Sequence, residues 1–147
     1  MPTAPKVVHK TADETVNNST TLQNDDHLYF AMAANEIWAF DIILLFASST
    51  AADFIFSFSL PTGATLRGFT IYKGSGETLT SLAAIEGNAI TCMGAGSTTP
   101  RVQAIFKGLV FNGANAGNFQ LTWAQGTAEA TDTVLKKGSC IIFHKIA

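Results

Sequence analysis

The chain has 147 residues, two cysteines and a formal charge of −2, with 47% hydrophobic side chains and only 14% charged ones, against about 25% charged in an ordinary soluble domain. This length buries about two-thirds of the unfolded surface in one core, so folding needs neither a disulfide framework nor a structural metal. A pI near 5.8 and nine scattered basic residues leave no clustered cationic surface for a phosphate backbone, which argues against a nucleic-acid partner. The shortage of charge itself has two readings. One is a neutral surface rich in Ser, Thr, Asn and Gln; the other, which we favour, is a surface buried in an assembly.

The N-terminus "MPTAPKVVHKTADE" lacks the apolar stretch of a secretory leader. Pro2 and Pro5 break regular structure and leave only "KVVHK" able to pair. Residues 1–10 therefore form an extended N-terminal arm, either disordered or ordered only against a neighbouring subunit, and residues 11–147 a single domain. "QNDD" is a turn signal, and "DDH" (Asp25, Asp26, His27) reads as a charged hairpin turn. Neighbouring strand residues face opposite ways, so at most Asp25 and His27 converge, and two ligands do not make a metal site.

"EIWAFDIILLF" is apolar on both faces apart from Glu36 and Asp41, the mark of a central strand covered on both sides. "DFIFSFSL" alternates, with Phe54, Phe56, Phe58 and Leu60 on one side and Asp53, Ser57 and Ser59 on the other. "ETLTSLAAIEG" is assigned as strand over a weak helical alternative. "RVQAIFKGLVF" and "CIIFHKI" resemble the central strand, and "FQLTW" repeats the alternation with Phe119, Leu121 and Trp123 inward. The intervening "ASSTAAD", "LPTGA", "YKGSGE", "EGNA", "GAGSTTP", "NGANAGN", "QGTAEATD" and "KKGS" are turns. Gly63, Gly74, Gly76, Gly87, Gly113 and Gly117 are expected where the backbone needs unusual dihedral angles. The fold expected is all-β: an antiparallel β-sandwich of jelly-roll type, or a closely related barrel, with Trp38, Phe40, Phe54, Phe56, Phe58, Phe119, Leu121 and Trp123 in its core. No run approaches the ~20 apolar residues of a membrane span, so no membrane partner is expected.

Catalytic motifs are missing: no nucleophile elbow, P-loop, HExxH or EF-hand loop occurs. Cys92 and Cys140 are expected as small buried apolar residues, and His144, on the Cys140 and Ile142 side of the last strand, as a hydrogen-bonded structural histidine. Lys136 and Lys137 beside Gly138 read as a solvated turn. No enzyme activity, cofactor or metal is expected. A carbohydrate-active site would need two carboxylates converging in a cleft.

The order of "STTLQNDDHL", "ADFIFSFSLPTGA" and "TWAQGTAEATDTVLKKGS" resembles a family of small β-rich structural proteins of tailed-bacteriophage virions, over Lys10 to Ile146. For a chain standing alone, the resemblance implies a capsid decoration protein on the outer surface of the icosahedral head, made in the host cytoplasm. Its partners would be the major capsid protein and itself, as a homo-oligomer; a trimer matches the local threefold positions of such shells. Contact with the capsid or a neighbour is expected through Pro2, Thr3, Pro5, Lys6, Val7, Val8, His9 and Lys10, by strand addition. The alternative is a tail or fibre component that recognises a host surface or carbohydrate through exposed loops such as "RGFTIYKGSG".

Overall fold

The structure, a computed structural model, describes residues 1–73, 79–83, 90–92 and 101–147, with side chains described for 1–72 and 104–147. Its strands are β1 (Lys6–His9), β2 (Glu14–Val16), β3 (Gln23–Met32), β4 (Ile37–Ala47), β5 (Phe54–Ser59), β6 (Thr65–Lys73), β7 (Leu79–Ala83), β8 (Ile90–Cys92), β9 (Arg101–Phe111), β10 (Gly117–Gln125), β11 (Thr133–Leu135) and β12 (Cys140–Lys145). All pairings are antiparallel.

The strands form two sheets. The larger runs β1-β12-β4-β9-β6-β7, with β11 joining β4 to β2, and the smaller runs β3-β10-β5-β8. If β2, β6, β7 and β11 are set aside, the remaining eight strands enter the sheets in the order large, small, large, small, small, large, small, large. That sequence, with β1-β12-β4-β9 facing β3-β10-β5-β8, is the jelly roll. The strand pair β6 and β7 extends the larger sheet beyond β9.

The strict alternation of β4 explains how the layers stack. Trp38, Phe40, Ile42, Leu44 and Phe46 point inward and are buried. They meet Phe54 and Phe56 of β5 and Phe119, Leu121 and Trp123 of β10, all fully buried. Phe46 stacks on Phe54 at 4.1 Å between centroids, Phe30 on Phe143 at 4.1 Å and Phe40 on Phe106 at 5.6 Å. Such pairs add about 0.5–1.5 kcal/mol each beyond the area they bury. Of the expected core residues, Phe58 alone is only partly buried.

Several local expectations need correction. "QNDD" is not a turn but the start of β3, and "DDH" sits inside that strand at an irregularity in its pairing with β10. Among the glycines singled out, Gly63 adopts a positive φ of 87°, whereas Gly113 is small because a Cβ there would come within 2.8 Å of the Gly63 carbonyl oxygen. Gly74, Gly76, Gly87 and the turns "EGNA" and "GAGSTTP" lie outside the described residues; "YKGSGE" does so from Gly74 onward.

Candidate functional site

The N-terminal segment orders against its own chain. β1 pairs with β12 in the register Lys6 to Phe143 and His9 to Cys140, and the Thr3 amide donates to the Lys145 carbonyl at 2.9 Å. Pro2, Pro5, Lys6, Val7 and His9 are exposed, while Thr3 and Val8 are half-buried. Lys10, expected among the contact residues, is fully buried and faces the interior. The free edge of β1 carries Pro5 and Lys6, devices that disfavour strand addition.

Lys10 is the centre of an ionic cluster. Its Nζ donates to Glu14 Oε2 and, at 2.6 Å, to Asp25 Oδ2. Asp25 Oδ1 accepts the amides of His27 at 2.9 Å and Leu28 at 2.7 Å, and Gln120 Nε2 donates to the Asp25 carbonyl at 2.9 Å. These bonds satisfy the backbone groups that the β3 irregularity leaves without ladder partners. Burial, reinforced by hydrogen bonding to Asp25, pushes the Glu14 carboxyl up to about 7, with Lys10 pulling the other way. Burial also pushes Asp25 up, but its bonds to Glu14, Lys10 and the His27 amide outweigh that and leave it below the usual carboxylate range.

Asp25 and His27 do converge, and Glu14, which sequence spacing did not place there, joins them, with their ligand atoms within 4.8 Å of one another. His27 Nε2 lies 3.0 Å from Thr11 Oγ1, and its Nδ1 is enclosed without a hydrogen-bond partner among the described residues. The Lys10 ammonium already supplies the positive charge that a bound cation would bring. Glu14 and Asp25 are convergent carboxylates, yet Asp25 is buried and both are bound to Lys10, so they form an internal tie of β2 and β3 to the residue that follows β1 rather than an open pair.

The two outer faces differ sharply. On the larger sheet, register aligns Val7, Ile142, Asp41, Lys107 and Phe69 in one row. The next row holds His9, Cys140, Ile43, Ile105 and Ile71, and on the other side lie His144, Ala39, Leu109 and Arg67. Lys107 Nζ meets Asp41 Oδ1 at 2.8 Å in the middle of this apolar field. A shallow concavity of ≈570 Å³ runs between the first and third rows, from Pro5 to Phe69. On the smaller sheet, the outward rows are Tyr29, Gln120 and Ser59, and Asn24 and Thr122 beside Ser57, which is buried despite its expected outward position.

The expectation that "EIWAFDIILLF" is covered on both sides is thus met on one side only. Ile37, Ala39, Asp41, Ile43 and Leu45 are half-buried and no layer of the described chain lies over them. His144 and Cys140 belong to this open face; neither is fully buried, and burial raises the Cys140 thiol. His144 makes no side-chain hydrogen bond among the described residues, contrary to expectation. The side chain of Cys92 lies outside the described residues. Lys136 and Lys137 form a turn held by Asp13, through Lys136 Nζ at 3.1 Å and the Lys137 amide at 2.8 Å.

No family model and no curated protein matches the chain. Among solved structures, it is similar to the Gx strain structure of infectious bursal disease virus, at 14% identity and a TM-score of 0.22 over 97% of this chain and 41% of that one. The crystal structure of the VP2 subviral particle of the same virus matches at 12% identity and a TM-score of 0.22, over 96% of this chain and 40% of that one. The chain therefore spans about two-fifths of the structures it resembles, and the superposition is too loose to carry a functional argument.

Proposed function

We propose that the chain is a non-enzymatic structural protein of a virus particle, and specifically a decoration protein on the outer head surface of a tailed bacteriophage, where it bridges and stabilises the major capsid protein. The observation that carries this reading is a jelly roll whose larger sheet has a nearly neutral apolar face that no described residue covers. Monomeric soluble proteins rarely expose a contiguous apolar patch of that kind, so its natural setting is an assembly. The motif order from Lys10 to Ile146 supports the phage setting, and the exposed Pro2 and Lys6, outside the outward rows of the larger sheet, remain available for capsid contact. The resemblance implies a trimer; the face geometry favours a two-fold contact, as argued below.

The smaller sheet favours a second reading. Tyr29, 44% exposed among Asn24, Gln120, Thr122 and Ser59, has the aromatic and hydrogen-bonding make-up of a surface that contacts sugars, which suits a tail or fibre component. Cryo-electron microscopy of particles that contain the chain separates the two. Density repeated over the head supports decoration; density confined to the tail overturns it in favour of host recognition.

A further inference from the structure

We infer that the outer face of the larger sheet docks a second copy of this chain, face to face, about a two-fold axis running parallel to the strands midway between β4 and β9. The inference deepens the assembly reading above and rests on it only for its setting.

The face is self-complementary under that operation. The axis would carry β4 of one copy over β9 of the other, so Asp41 would lie over the second copy's Lys107 and the reverse. Each charge would then gain a second opposite partner as water leaves, which a dry interface requires of an ion pair. The same axis sets Ala39 over Leu109, a small residue against a large one, Ile43 over Ile105, and Ile142 over Phe69. At the rim Arg67 comes opposite His144. A partner of other chemistry would need its own matched ion pair; a second copy carries it by construction.

The size fits as well. Six strands at ~4.8 Å spacing span about 24 Å, and Ile37 to Leu45 at ~3.4 Å per residue span about 27 Å, roughly 650 Å² in projection and more once side chains corrugate it. A stable interface takes about 800 Å² per partner.

The test uses the full chain in sedimentation equilibrium over a micromolar dilution series, where twice the monomer mass is expected. Asp41→Lys alone and Lys107→Asp alone each set like charges across the axis, and each is expected to weaken association at least about tenfold. An equimolar mixture of the two variants restores the dimer, because each then faces its complement. Both side chains are exposed, at 39% and 63%, so the fold should survive, which circular dichroism checks. A monomer throughout the series, a trimer, a dimer insensitive to both substitutions, or a mixture that stays monomeric while the unmodified chain dimerises would each overturn the proposal. A chain that dimerises but is absent from heads would sink the decoration reading and leave this one standing.

Discussion

The two outer faces of the sandwich start from the same strand geometry and end with opposite chemistry. The smaller sheet presents Ser, Thr, Asn and Gln with one exposed tyrosine, groups that bind water without charge. The larger presents Ile43, Ile105, Ile142, Leu109 and Phe69 around a central ion pair. Both of the explanations that the low charge of the chain allows therefore hold, one on each side. The lesson is that composition averages over faces, and only register separates them.

The largest expected effect comes from breaking the edge where the faces meet. Lys10→Met leaves Glu14 and Asp25 beside each other in a buried site without their cation, at a cost of ~3–5 kcal/mol, read as a lower urea midpoint. Release of β1 would then remove Val7 and His9 from the larger face while leaving the smaller face whole.

Gly108→Ala strikes the larger sheet from inside. A Cβ there would lie 2.6 Å from the Arg67 carbonyl and 3.0 Å from the Phe106 ring, so the β6 and β9 pairing must open. A loss of about 1–3 kcal/mol is expected in the same denaturation experiment.

A matched pair of surface substitutions sharpens the contrast directly. Ile105→Lys and Ser59→Lys both place a lysine on an outer face, and each should change stability by no more than about 0.5 kcal/mol. Only Ile105→Lys should abolish self-association in light scattering. Equal effects from the two would erase the distinction between the faces.

A pH dependence at the cluster is a separate effect on stability. Glu14 binds its proton more tightly folded than unfolded, so its contribution is complete below the ordinary carboxylate value of 4.5 and is lost as pH rises toward about 7. Asp25 is shifted the other way, so its contribution is present above 3.8 and lost on further acidification. Thermal stability should thus decline between mildly acidic and neutral pH, and Glu14→Gln should flatten that decline.

Much of the sandwich was legible in the chain because its inward residues are large and periodic: Phe54, Phe56 and Phe119, Leu121, Trp123 name their own strands. Strand order was not, since it depends on pairings as distant as Lys6 with Phe143. The ionic cluster escaped for the same reason. Lys10 looked like an arm residue and "DDH" like a turn, and it takes the joining of β1 to β12, that of β2 to β11 and the irregularity in β3 to bring Lys10, Glu14 and Asp25 together. The candidate interface did leave a trace, in β4 being apolar on both faces. Its meaning depended on knowing that the described residues cover only one.

Phe69 on the larger face and Tyr29 on the smaller are 45% and 44% exposed in the single chain, which makes them matched reporters. The measurement that tests the central claim most directly is hydroxyl-radical footprinting by mass spectrometry at low and high protein concentration. Protection of Phe69 on concentration, with Tyr29 oxidised at an unchanged rate, is the predicted result. An unprotected Phe69, or protection of Tyr29 instead, would contradict an assembly built on the larger sheet.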